Sequence, residues 1–331
     1  MHVRLTHIDG KLPNLALMRL AHYHRSRGDT IYFTKDIDLS LFEQEYDRIY
    51  GSSIFTMSRD RVERFRKLYP RAFVGGTGTD TTANLETVVP DIQNLHDYSI
   101  YPDFSASIGF LQRGCRLKCK FCVVPTKEGR PVHNMTVNEL WRGDPHPKNL
   151  HILDNDFFSV PTWQDRIDEI RAGGFRVCLT QGINVRLITE DAARALASIE
   201  YRDTKFKRRR LYTAWDSIGH ERVFFRGVDR LVDAGIPEKH VMAYMLIGYD
   251  KRETWEAIHY RFDKMVERGI KPYPMVYDPA RKDLKRFQRW AVTGLYRAFP
   301  FSEYGVKKNA SPTQSDQNES SAERRALLYE E

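Results

Sequence analysis

Three of the chain's four cysteines fall in one short run, Gly114-Cys-Arg-Leu-Lys-Cys-Lys-Phe-Cys122, spaced C-x3-C-x2-C. Three thiolates on one loop can hold three irons of a four-iron cluster. A fourth protein ligand nearby is not apparent, so one iron would stay open to a small molecule. The segment just before, Ser105-Ala-Ser-Ile-Gly-Phe110, reads as a β-strand whose end delivers this loop. The rival is zinc, with Cys178 or His133 completing a tetrahedron. Zinc usually takes paired C-x2-C knuckles, and here there is one such pair.

A disulfide framework does not suit a chain of 331 residues with so few, clustered cysteines. Cys178 lies in the apolar stretch Phe175-Arg-Val-Cys-Leu-Thr180, which reads as a buried strand. It is expected to serve as a small core hydrophobe outside the site. The hydrophobic fraction of 41% with 12% aromatics is that of a globular protein. No apolar run approaches the ~20 residues that cross a bilayer. Met1–Asp9 alternates and is polar, unlike a signal peptide. The expectation is a cytoplasmic protein with no membrane partner.

A net charge of +8 fits a nucleic-acid partner, an anionic substrate or a basic surface. The densest basic run, Lys205-Phe-Lys-Arg-Arg-Arg210, is read as a solvated loop, with phosphate binding as its alternative.

Residues 1–80 alternate strand and helix signals. Strands are expected at Val3–Ile8, Thr30–Thr34, Asp47–Phe55 and Ala72–Gly78. One helix is opened by Pro13 and stopped by Gly28, and another runs from Ser58 to Tyr69. This suggests a small flavodoxin-like open α/β domain. Residues 81–102, rich in Thr, Asn, Asp and Pro, read as a linker, and residues 301–331 as a disordered tail.

Between them, residues 103–300 carry regular strand–helix repeats. After Ser105–Phe110 the strands are Leu150–Leu153, Phe175–Thr180, Arg210–Ala214, Val241–Ile247 and Tyr273–Tyr277. Helices are expected at Thr162–Ala172, Glu190–Ile199, Glu221–Ala234, Glu253–Arg268 and Leu284–Ala298. Six strands in such a series predict a partial (β/α)6 TIM-type barrel, with the cysteines on its C-terminal face.

The C-x3-C-x-φ-C spacing, with Phe121 before the last cysteine, resembles the radical S-adenosylmethionine (SAM) superfamily over about Ser105 to Tyr277. The resemblance implies that Cys115, Cys119 and Cys122 bind a [4Fe-4S] cluster. SAM would then chelate the open iron and be cleaved by one electron to a 5′-deoxyadenosyl radical. It implies a flavodoxin- or ferredoxin-type reductant and places Phe121 near the adenine.

Asp154 and Asn155, after the second strand, stand where the family often holds the methionine amino group. The usual glycine-glycine-glutamate form is absent, and Asp156 is read as a helix cap. Gln181, Asn184 and Arg186, after the third strand, are candidates for the ribose hydroxyls or the carboxylate. Gly248 follows the strand that resembles the one supporting adenine. Tyr212, Trp215, Asp216, Tyr244 and Tyr277 are at strand ends that could line a substrate cavity.

The front domain is similar to a reduced form of the cobalamin-binding domains that precede some radical SAM barrels, with Gly75-Gly-Thr-Gly78 as a glycine loop. The D-x-H-x-x-G motif of those domains is absent: the corresponding run is Thr6-His-Ile-Asp-Gly-Lys11. The better reading is therefore a domain that covers the barrel or contacts a partner. The alternatives are a cobalamin-assisted methyltransferase and a non-enzymatic basic iron–sulfur or zinc protein that binds nucleic acid. A methylthio transferase is disfavoured because only Cys178 is left for a second cluster.

Overall fold

The structure, a computed structural model, describes residues 1–39, 43–79 and 84–305. Its first part follows from two amphipathic helices, each with an apolar stripe to bury. β1 (His2–His7) leads to α1 (Leu15–Ser26), β2 (Thr30–Thr34), β3 (Arg48–Ser52), α2 (Arg59–Leu68) and β4 (Phe73–Gly75). Asn14 caps α1 by accepting the Leu17 N–H at 3.1 Å, so the helix starts just after the expected Pro13. Leu17, Met18, Leu20 and Ala21 then pack on Val3 and Leu5 of β1. On the other face Val62 and Phe65 of α2 meet Ile8 and Val74.

The four strands are parallel, in the order β2-β1-β3-β4. Strand order reverses between β1 and β3, as in flavodoxin-like sheets. Among the described residues no helix joins β2 to β3.

The glycine loop is occupied by its own chain. A Cβ at Gly76 would lie 2.1 Å from the Ser53 carbonyl oxygen, and one at Gly78 2.6 Å from that of Phe55. Asp9 fills the crevice after β1 by accepting the Ile54 and Phe55 N–H groups (2.7 and 3.1 Å) and the Ser53 hydroxyl (2.6 Å). These residues do not fit a cobalamin.

The expected linker is packed. Residues 80–83 lie outside the described residues; beyond them comes α3 (Leu85–Val88). Val89, Ile92, Ile100 and Tyr101 are buried in the cluster that holds α1 and β1, and Ile108 of the next strand joins it.

That strand is β5 (Ser107–Gly109), followed by β6 (Gln112–Arg113), α4 (Val124–Lys127), β7 (Val132–His133), α5 (Val137–Leu140), β8 (Asn149–Ile152), α6 (Trp163–Gly173) and β9 (Arg176–Cys178). Then come α7 (Glu190–Ala197), β10 (Glu200–Tyr201), β11 (Leu211–Ala214), α8 (Glu221–Asp233), β12 (Val241–Ile247), α9 (Trp255–Glu267), β13 (Lys271–Val276) and α10 (Lys282–Val292).

All six expected strands form, but they hydrogen-bond as two parallel sheets, β10-β9-β8-β5 and β11-β12-β13. The Ile183 N–H donates to the Tyr212 carbonyl and the Tyr244 hydroxyl to the Thr180 carbonyl, both at 2.8 Å, bridging the two sheets. One apolar core underlies both: Leu150, Ile152 and Val177 share it with Leu211, Val241 and Met245. Cys178 faces the other way, fully buried with Ala106, Phe206 and Tyr212.

Phe301 stacks on Trp255 at 5.6 Å, so the packed chain extends past the expected start of the tail; residues 306–331 lie outside the described residues. Among the described residues no helix is long and apolar enough to cross a membrane.

One close approach sets the position of the loop after β9. Gly227 in α8 lies so near the 3-10 turn Val185–Leu187 that an added Cβ would stand 2.0 Å from the Val185 carbonyl oxygen. Gly227→Ala must push the helix and turn apart. It is expected to destabilise by about 1–3 kcal/mol, seen as a lower thermal midpoint. An unchanged midpoint would contradict this packing.

Candidate functional site

The cysteine loop hangs from a short antiparallel ladder in which Gln112 pairs with His133 and Arg113 with Val132. Within it the Cys115 N–H donates to the Gly129 carbonyl (3.3 Å) and the Cys122 N–H to the Cys119 carbonyl (3.0 Å). Two carboxylates hold its shape. Glu128 accepts from Arg113 (2.8 Å), the Gly114 N–H (2.9 Å) and the Asn155 amide (3.1 Å). Asp156, 1% exposed, takes Arg116 in bidentate fashion (2.8 and 3.0 Å) and also accepts the Arg116 N–H at 3.2 Å. Asp156 is thus an anchor for the loop and not the expected helix cap.

The three cysteines are free and half-buried. Burial pushes the Cys115 and Cys122 thiols up. The negative charge of neighbouring carboxylates and of the other cysteines adds to the shift, so the three sulfurs share one electrostatic environment.

Other strand ends face this loop. After β9, Arg186 places Nη2 3.9 Å from the Cys119 sulfur and Nη1 3.2 Å from His220 Nδ1. After β11, Asp216 accepts the Leu246 N–H (2.9 Å). Burial raises its carboxyl against the pull of Arg261, Arg186 and His220, and its charge in turn reaches Cys122. After β12, Tyr249 meets Phe121 edge-on at 5.5 Å and Tyr277 at 4.9 Å.

Arg261, fully buried, donates to the Trp215 carbonyl (2.8 Å) and the Leu246 carbonyl (3.0 Å) and pairs with Glu253. Glu253 also accepts the Gly248 N–H at 3.2 Å. This one pair ties the ends of β11 and β12 together.

Of the residues singled out in the sequence, Phe121 and Arg186 lie with the three cysteines. Asn155 does so indirectly, through Glu128. Asp154 does not: it is 3% exposed, and its Oδ1 accepts the Leu111 and Gln112 N–H groups at 2.8 and 3.1 Å. Gln181 is exposed, and the Asn184 amide nitrogen is buried without a partner. Gly248 has φ +78°, and a Cβ there would strike Leu284 at 2.5 Å, so local packing accounts for it. Glu128, His220 and the Arg261–Glu253 pair carry no motif. Arg261 lies in the helix after β12, His220 and Glu253 between a strand and the helix that follows it, and Glu128 at the end of α4 has no sequence signal at all.

Among the described residues, no three His, Cys, Asp or Glu side chains converge tightly enough to hold one metal ion. His133 is exposed in the ladder and Cys178 is in the apolar cluster, so neither offers a fourth zinc ligand. Sulfurs that each bind a different iron of a cluster stand farther apart than ligands of one ion. Three soft, half-buried donors on one loop fit that wider group.

No family model matches the chain, and no curated protein matches it.

Asp154 gives a pH signature. Burial raises its carboxyl from the ordinary 3.8 to about 7. Folding then takes up a proton that the unfolded chain has released, so stability falls as pH rises from about 4 to 7. Asp154→Asn keeps an acceptor for the two N–H groups and is expected to remove that slope from the thermal midpoint. Parallel pH profiles for the two proteins would contradict it.

Proposed function

We propose that the chain is a radical SAM enzyme, with its two parallel sheets as the halves of a partial (β/α)6 TIM-type barrel and residues 1–80 as a small covering domain. The observation that carries this reading is the approach of Arg186, Asp216 and Tyr249, from three strand ends, to one three-cysteine loop. Active sites of (β/α) folds are built at that edge. Cys115, Cys119 and Cys122 would hold the [4Fe-4S] cluster and leave one iron for SAM.

When bound, cluster and SAM supply one chemistry: an electron breaks a carbon–sulfur bond, giving methionine and a 5′-deoxyadenosyl radical that takes hydrogen from the substrate. The chain's own residues bind and orient. Arg186 has a guanidinium beside Cys119 and would hold a carboxylate. Phe121, braced by Tyr249, would pack against a flat ring. Arg261 and Glu253 fix the backbone that carries Asp216 and Tyr249. The electron would come from a flavodoxin- or ferredoxin-type donor.

Anaerobic reconstitution with iron and sulfide, followed by SAM and dithionite, is expected to yield 5′-deoxyadenosine. Cys119→Ala should lower the yield by at least about 100-fold, because one cluster ligand is gone. Cys178→Ala, outside the site, should retain most of it. An active Cys119→Ala protein, or wild type that makes no 5′-deoxyadenosine, would contradict the proposal.

A further inference from the structure

The charge around the cysteine loop is not balanced. Between residues 113 and 130 stand Arg113, Arg116, Lys118, Lys120, Lys127 and Arg130 against Glu128 alone. Glu128 is taken by Arg113, and the neighbouring Asp156 by Arg116. Lys118, Lys120 and Arg130 are exposed and pair with no carboxylate among the described residues. Two of these cations flank Cys119 directly.

Beside them lies a file of rings. Phe121 is 36% and Tyr277 53% exposed, with Tyr249 edge-on to both. Leu187 and Ile218, from the loops after β9 and β11, are exposed as well. Exposed rings next to unpaired cations are what a single-stranded nucleic acid needs: faces for the bases and charges for the phosphates. A chemical step on a base also requires that base out of its helix, which a single strand already offers.

The basic run Lys205–Arg210 is placed differently. It precedes β11, at the edge of the sheets opposite the cysteines. Its Arg209 is paired with Glu200, and Phe206 turns inward at φ 57° to meet His151 at 4.8 Å. Asp203 accepts the N–H groups of Lys205 and Lys207 at 3.2 and 2.9 Å, which folds the run back on itself. That run closes the far end of the sheets.

We propose that the cysteine-loop edge binds single-stranded nucleic acid, as the substrate class of the site. The inference rests on the proposed radical SAM reading for the chemistry after binding, but the binding itself is measured separately. The cluster-loaded protein is titrated into fluorescein-labelled single-stranded RNA or DNA of about 12 nucleotides, a length that spans one such site, and anisotropy is read at several salt concentrations.

Lys118→Ala with Lys120→Ala should lower the salt slope by about 1.4 and weaken binding about 20-fold at about 0.1 M salt, as loss of two phosphate contacts predicts. Tyr277→Ala should weaken it roughly tenfold through lost stacking. A triple Lys205, Lys207 and Arg208→Ala variant should bind like wild type.

Several outcomes overturn the inference: no oligonucleotide binding while 5′-deoxyadenosine still forms, loss of binding in the triple variant instead, or equal affinity for polyglutamate. Oligonucleotide binding without SAM cleavage leaves it standing and overturns the proposed function alone.

Discussion

The Asp156 carboxylate, buried and gripped on both oxygens by Arg116, is the contact on which the cysteine site depends. None of the loop's apolar side chains (Leu117, Phe121, Val123, Val124 and Pro125) is fully buried, so its shape comes from hydrogen bonds and charge. Arg116 lies between Cys115 and Cys119, and Asp156 is fixed to the end of β8. Their bidentate pair ties the loop to the sheet, and Glu128 ties the loop to itself and to Asn155. Charge-assisted bidentate pairs combine energy with direction, which a loop needs more than a packed helix does.

That anchoring has an electrostatic consequence. Burial, with the charge of Asp156 added to it, lifts the Cys115 thiol, and burial with the charge of Glu128 and Asp216 lifts that of Cys122, so these two resist becoming bare thiolates. A bound cationic group would reverse that balance. Arg186 and the uncompensated Lys118 and Lys120 supply positive charge from outside, while the Arg261–Glu253 pair fixes the opposing wall formed by the ends of β11 and β12. Gly227 sets how closely α8 presses on the turn that carries Arg186. The site is thus assembled from local contacts on several elements, each with its own support.

Much of this was legible in the sequence and some was not, for definite reasons. Strands such as Val241–Ile247 and helices such as Glu221–Asp233 announced themselves by apolar period and glycine stops, and both fell within a residue of expectation. The joint between β9 and β11 did not, because period shows which residues are buried but not which strands pair. The ladder of Gln112–Arg113 with Val132–His133 is too short to have a period. In Leu153-Asp-Asn-Asp156 three polar side chains adjoin, and composition could not say that Asp154 would turn inward to the Leu111 and Gln112 amides while Asp156 met Arg116. The glycine loop, the front domain's point of likeness to cobalamin-binding domains, is spent on Ser53 and Phe55 of its own chain, which a bare run of glycines does not reveal.

The central claim is that this anchored loop holds a cluster with one iron open to SAM. Electron paramagnetic resonance of the reduced, reconstituted protein tests it most directly, recorded before and after SAM is added. A four-iron signal whose g values shift on addition is the predicted result. A signal that SAM leaves unchanged, or a protein that assembles no four-iron cluster, would contradict the account.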